Sequence, residues 1–237
     1  MSEPVSNSLP VVLVPGLTCT ARLYADQIPA LWQFGPVTVA DHRRDDSMAN
    51  IAGRILTTAP PHFALVGLSM GGFIAFEIMR QAPERVTKLA LLDTSSRPDA
   101  PEQTERRRLL MGLAKEGRYA EIPEHVFPIY VHRNRHGDEA LKRIVREMAE
   151  ATGVEAYLRQ QRAILSRPDS RPSLAAISCP TLVLVGEADE ATPPELAHEI
   201  AAGIRGSRLI VIPDSGHLST LEQPTAVTKA LVEWLLL

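Results

Sequence analysis

Ser69 stands in the run Gly67-Leu68-Ser69-Met70-Gly71-Gly72, directly after a short apolar stretch and directly before a helical pattern. A serine at a tight strand-to-helix turn is held in a strained backbone conformation with its hydroxyl exposed. Glycines two residues to either side keep Cβ atoms out of the crowded bend. The helix start beside it offers free N–H groups and a dipole that favour developing negative charge. The bare Gly-x-Ser-x-Gly spacing should occur by chance in roughly one chain in ten of this length, so its weight comes from standing between a strand and a helix. A serine hydroxyl is a poor nucleophile without a base to take its proton. Of seven histidines, His217 in Pro213-Asp214-Ser215-Gly216-His217-Leu218 is the best placed, in a loop after the last strand pattern. An imidazole in turn needs a carboxylate to fix its tautomer and stabilise its cation. Asp189 or Glu187, in Gly186-Glu187-Ala188-Asp189, follows a strand pattern and suits this role; Asp93, at the end of a neighbouring strand pattern, is the other carboxylate within reach. Together these are the parts of nucleophilic acyl transfer.

Such parts must be brought to one edge of a sheet. Apolar, β-branched runs predict strands over Val11–Val14, Val37–Ala40, Phe63–Val66, Val86–Leu92, Thr181–Val185 and Arg208–Ile212. Most are continuous rather than alternating, as in strands buried on both faces of a parallel sheet. Helical patterns fall between them at Thr20–Phe34, Met48–Ala59, Met70–Ala82, Pro194–Gly203 and Pro224–Leu236. This alternation predicts an α/β fold with right-handed crossovers and helices on both faces of the sheet.

One stretch breaks the pattern. From about residue 96 to residue 172 only helical patterns occur, such as Asp138–Gly153 and Val154–Ser166. Between Arg97 and Arg171 the chain holds 15 Lys/Arg against 12 Asp/Glu, a net +3, which leaves −6 on the remainder. The expectation is a core of residues 1–95 and 173–237 with a helical insertion, 96–172, over one edge of the sheet. A positive insertion above a negative core would steer acidic substrates inward.

The 237 residues suffice for one large α/β domain with such an insertion. A formal charge of −3 gives no support to a nucleic-acid partner. No apolar run reaches the roughly 18 residues of a membrane span, and the first ten residues do not read as a signal peptide. Cys19 and Cys179 make no disulfide framework, so a cytoplasmic protein is expected.

The chain resembles the α/β-hydrolase superfamily, in its group of small serine esterases, enol-lactonases and meta-cleavage-product hydrolases. The resemblance is carried by Val66-Gly67-Leu68-Ser69-Met70-Gly71-Gly72, Pro83-Glu84-Arg85-Val86, the run from Leu182 to Asp189, and Gly216-His217-Leu218 followed by Glu222-Gln223-Pro224. It implies Ser69 as nucleophile, Asp189 as acid and His217 as base, in the chain order of that family. It also implies an oxyanion hole built from the Met70 and Leu17 N–H groups, a lid after Leu92, and no metal or organic cofactor. The implied reaction is hydrolysis of a small-molecule carboxylic ester, thioester or lactone. Carbon–carbon bond hydrolysis and a non-catalytic ligand receptor are the rivals on the same fold. Two departures stand out. Pro15-Gly16 replaces the usual His-Gly, so the oxyanion loop must be held differently, and only Glu3–Ser8 is left for the leading hairpin of many relatives.

Other residues have plainer readings. Met111, Phe127, Tyr130 and Tyr157 either line an acyl pocket or pack the lid helices, and Leu218 is expected to face the pocket. His132 and His136 lack a nearby carboxylate ligand and read as a solvated stretch. Arg106-Arg107-Arg108 lies within a turn of Glu102 and Glu105 and reads as an ion-paired helix face. Cys19 reads as a small buried hydrophobe, and Asp169 as an ion pair at the lid hinge.

Overall fold

The computed structural model describes residues 8–237. Six strands form one parallel sheet: β1 (Val11–Val14), β2 (Val37–Val39), β3 (Phe63–Leu68), β4 (Val86–Leu92), β5 (Thr181–Gly186) and β6 (Arg208–Ile212), in the order β2-β1-β3-β4-β5-β6. Every residue of β1, β3 and β5 is buried, which is why these strands read as unbroken apolar runs. Their side chains alternate between two cores. Val12, Val14, Leu65, Leu91, Val183 and Val185 face one, which takes α2 (Met48–Thr58), α3 (Met70–Gln81) and α8 (Pro194–Gly203). Val11, Leu13, Val66, Leu182 and Leu184 face the other, which takes α1 (Ile28–Leu31) and the last helix, α9 (Pro224–Leu236). The chain is thus an α/β-hydrolase fold.

The single helix expected over Thr20–Phe34 is instead a 3₁₀ turn, Ala21–Tyr24, followed by the one-turn α1. Pro29 has no N–H to give to the carbonyl four residues back, and it sits in the first turn of α1, where that bond is not needed. The strand contribution considered for Glu3–Ser8 lies outside the described residues except for Ser8, which is in no strand.

Between β4 and β5 there is no strand. The segment holds α4 (Pro101–Lys115), α5 (Ile122–Tyr130), α6 (Glu139–Thr152) and α7 (Val154–Leu165). Asp169 and Arg171 pair at 2.6 Å on its return to the sheet.

The strand order reverses at β1, whose neighbours are β2 and β3. In open α/β sheets the crevice beyond the carboxyl ends at such a reversal is where ligands bind. Here that crevice lies between the loop after β1, beginning at Pro15, and the turn after β3 at Ser69. Val14 and Gly67 are directly paired across it.

Candidate active site

Ser69 links β3 to α3 with no spacer. Its backbone lies at φ 56°, ψ −115°, a conformation that costs a non-glycine residue about 1–3 kcal/mol. The flanking glycines make the bend possible: a Cβ on Gly67 would strike the Gly71 carbonyl, and one on Gly71 would strike the Val14 carbonyl. The result is a half-buried serine above the sheet edge.

His217 Nε2 lies 2.8 Å from Ser69 Oγ, and its Nδ1 lies 2.8 Å from Asp189 Oδ2. Asp189 is itself fixed. Its Oδ1 accepts the Ala191 and Thr192 N–H groups at 2.8 Å each, and its Oδ2 accepts the Thr192 hydroxyl at 2.7 Å. Burial works against charge on His217, but Asp189 beside it outweighs this and holds the imidazole above its ordinary pKa of 6.5. Such a chain of contacts can take a proton from the serine and hold the resulting cation.

The other two carboxylates weighed for this position are engaged elsewhere. Glu187 is exposed and accepts the Asp214 N–H at 3.4 Å. Asp93 is fully buried, but its two oxygens accept the Gly186 N–H and the Ser219 hydroxyl. Burial first, and the Asp189 carboxylate second, push its carboxyl well above the usual range. Both Asp93 oxygens are thus engaged elsewhere, and no hydrogen bond joins Asp93 to His217 among the described residues.

Two N–H groups border the serine. Met70 is the first residue of α3, and Leu17 follows Pro15-Gly16 after β1. Neither N–H donates to a backbone carbonyl among the described residues. Leu17 shares a small chamber with Gly16, Ser69, Tyr130, His217 and Leu218. The Tyr130 ring lies 5.1 Å from the His217 ring, tilted by 41°. Leu17 and Tyr130 also border a larger cavity of about 160 Å³, lined further by Arg106, Arg107 and Tyr157.

Of the aromatic and aliphatic candidates, Tyr130 and Tyr157 line this cavity and Leu218 lines the chamber. Phe127 and Met111 do not. On α5 the cavity stripe is Ile122, Val126, Ile129 and Tyr130, and Phe127 is turned about 100° from Val126. It packs in the core shared with α6, its ring 5.7 Å from the Lys142 ammonium. On α4 the stripe is Gln103, Arg106, Arg107 and Leu110, which leaves Met111 in the helix-packing core.

His132 is buried, not solvated: its backbone N–H donates to Glu222 at 2.7 Å, and its ring Nδ1 accepts the Asn134 N–H at 3.2 Å. Of the three consecutive arginines, Arg108 pairs with Glu105 at 2.7 Å, whereas Arg107 turns inward to Asp99 at 2.6 Å. Cys19 is buried and its thiol is pushed up to about 12 by burial.

Glu222 carries more than its motif indicated. Its carboxylate accepts the Gly216 N–H at 2.9 Å as well as that of His132, and the Leu218 N–H donates to Tyr130 at 3.1 Å. The loop bearing His217 is therefore tied to the helical segment on both sides of the imidazole. The Glu222-Gln223-Pro224 run was visible in the sequence, but its partner 90 residues away was not.

The model of the alpha/beta hydrolase family matches residues 11–230, nearly the whole described chain. The chain belongs to that family. An esterase from Thermogutta terrifontis, solved with malate bound, is 32% identical, superposes with a TM-score of 0.86 and is covered over 90% of its length by 97% of this chain. The enol-lactonase from Burkholderia xenovorans LB400 superposes with a TM-score of 0.89 at 25% identity, over 99% of this chain and 94% of that one. A pimeloyl-[acyl-carrier protein] methyl ester esterase of Neisseria meningitidis is 25% identical over 94% of this chain and 92% of its own length. This alpha/beta hydrolase thus has esterases and a lactonase among its relatives. No helix among its described residues is long and apolar enough to cross a membrane.

Proposed function

We propose that this hydrolase is a serine esterase that cleaves small carboxylic esters, thioesters or lactones through an acyl-enzyme on Ser69. The observation that carries the reading is the unbroken relay from Ser69 Oγ through His217 to Asp189, each contact at 2.8 Å. Ser69 attacks the carbonyl carbon while His217 Nε2 takes its proton. The oxyanion accepts the Met70 and Leu17 N–H groups, and loss of one such donor typically costs about 2.7–4 kcal/mol. The alcohol leaves with the proton from His217. Water, deprotonated by the same imidazole, then releases the acid. Asp189 orients the ring throughout.

The cavity beyond Tyr130 sets the size of the group carried. At about 160 Å³ it resembles the roughly 150 Å³ apolar cavity that accepts one benzene ring. A panel of short- and long-acyl p-nitrophenyl esters, thioesters, lactones and a ring-fission diketone tests the reading. Turnover of short or single-ring esters is expected. Cleavage of the diketone alone would favour carbon–carbon hydrolysis, and no turnover of any member would favour a receptor.

The pH dependence follows from His217. The base works only as neutral imidazole, and its pKa is raised, so it stays protonated to higher pH than an ordinary histidine. The acid limb of kcat/KM should therefore have its midpoint above 6.5. A midpoint clearly below that value in a pH–rate profile contradicts the Asp189–His217 pairing.

Charge at the cavity supports a preference for anionic esters. Arg106 and Arg107 line it against the single acid Glu190, and Arg106 makes no ion pair among the described residues. Raising salt from about 10 mM to about 1 M shortens the screening length from about 30 Å to about 3 Å. Over that range kcat/KM for a carboxylate-bearing ester should fall while that for its neutral analogue stays level. Equal salt responses of the two esters would remove the steering role.

A further inference from the structure

Proline at position 15 has no N–H to give, yet the loop after β1 is fastened at several of its other polar atoms. The Val14 carbonyl accepts the Tyr24 hydroxyl at 3.0 Å. The Gly16 carbonyl accepts the Cys19 N–H at 3.1 Å and faces His42 Nε2 at 2.9 Å. The Leu17 carbonyl accepts the Thr18 hydroxyl at 2.6 Å. The Thr18 N–H donates to Gln160 Oε1 of α7, across 142 residues of chain, at 3.1 Å. The Leu17 N–H has no acceptor among the described residues.

The peptide bond is planar and trans, so a carbonyl and the N–H that follows it point in opposite directions. The Gly16 carbonyl and the Leu17 N–H share one such plane. His42, which must donate from Nε2 because a carbonyl only accepts, therefore sets the direction of the Leu17 N–H. The Leu17 carbonyl and the Thr18 N–H share the next plane, and Gln160 holds that one. Both planes flanking the Leu17 Cα are thus pinned from outside the loop. Thr18 lies at φ 57°, in the left-handed region that a threonine does not favour, so the bend needs such a restraint.

Gln160 is unusual in its own right. It is fully buried, and while its Oε1 serves Thr18 its Nε2 has no hydrogen-bond partner. An unpartnered buried donor is destabilising, and a helix packing only for stability would carry an apolar residue there. His42 is likewise buried, at 2% exposure.

We propose that Gln160 and His42 are positioning residues that aim the Leu17 N–H at the substrate oxyanion. Because Gln160 belongs to α7, the hole is complete only when the helical segment is seated on the core. The inference rests on the serine-esterase reading, in which the Leu17 N–H serves the oxyanion.

The test compares Gln160→Met, which keeps the volume and loses the acceptor, with Gln160→Glu, which keeps the acceptor. Gln160→Met should lower kcat about 10-fold or more, part of the 10²–10³ seen when a whole oxyanion donor is removed. Its KM should stay within about 2-fold and its affinity for a trifluoromethyl ketone should fall in step with kcat, since only the charged tetrahedral species uses the donor. Gln160→Glu keeps the acceptor, and with burial favouring the neutral carboxyl it should retain clearly more kcat than Gln160→Met, within about 10-fold of the parent. A merely structural role would instead lower Tm and leave kcat per folded molecule unchanged. His42→Phe, which keeps the ring and loses the donor, should repeat the kcat-selective loss and serves if Gln160→Met does not fold. Wild-type kcat in Gln160→Met, or in His42→Phe, overturns the proposal, as does an equal loss in Gln160→Glu. Ser69→Ala in the same assay separates the two levels: activity surviving in that variant sinks the esterase reading itself, whereas its loss beside an unaffected Gln160→Met sinks only the brace.

Discussion

Replacing Ser69 with alanine is expected to lower kcat for a short p-nitrophenyl ester by about 10⁵–10⁶, the scale on which a triad loses function when its nucleophile is removed. The size follows from the geometry. Serine, histidine and aspartate act through one proton path, so breaking its first link removes the covalent route entirely. What survives is the stabilisation that the oxyanion donors and substrate binding give to direct attack by water. The backbone strain at φ 56° belongs to the bend rather than to the hydroxyl, so the alanine variant should fold with a Tm close to that of the parent. A residual kcat within about 100-fold of the parent would require another nucleophile. Cys19 borders the same chamber, but with its thiol pushed up to about 12 it has almost no thiolate at neutral pH.

The second large effect separates two buried carboxylates. Asp189→Asn should lower kcat about 10⁴-fold, because the amide offers His217 Nδ1 a donor or a weaker acceptor in place of a charge and disfavours the tautomer that can accept from Ser69. Asp93→Asn should change kcat by less than about 10-fold. An asparagine there can still accept the Gly186 N–H through its oxygen, and its amide nitrogen can pair with the Ser219 hydroxyl once that hydroxyl turns from donor to acceptor. Steady-state kinetics of the two variants, with Tm measured alongside, decide the assignment. If Asp93→Asn is the crippling change and Asp189→Asn is mild, the acid has been misassigned.

Much of this architecture could be read in advance because its strands are buried on both faces. Burial of every residue in β1, β3 and β5 forces continuous apolar runs, and these differ from the helical stripe that follows Ser69. The Thr20–Phe34 stretch misled because a stripe of apolar residues survives a break between Tyr24 and Ile28, although the hydrogen-bond ladder does not. At the site, Ser69 and His217 announce themselves through local chemistry: flanking glycines in one case, a loop directly after a strand in the other. Asp189 stood out less, since Glu187 lies two residues away and only the fold turns one inward and the other to solvent.

The supporting residues left almost no trace. Gln160 sits on a helix among other polar residues, and its significance comes from a partner 142 residues distant. Glu222 and His132 are similar: each alone reads as a surface residue, and the bonds that satisfy them in the interior come from partners distant in the chain or from backbone groups. The cavity lining was half legible for a geometric reason. Aromatic content points to α5, but Phe127 and Tyr130 lie three residues and only about 60° apart around that helix, and the cavity takes Tyr130 and not Phe127.

The central claim is that one serine hydroxyl, activated by His217, is the nucleophile. Incubation with a fluorophosphonate followed by peptide mapping tests it most directly. The account predicts one phosphonyl group per chain, carried on Ser69, with labelling abolished in Ser69→Ala and strongly slowed in a His217→Ala variant. Modification at any other residue, or an unlabelled wild-type protein, would contradict it.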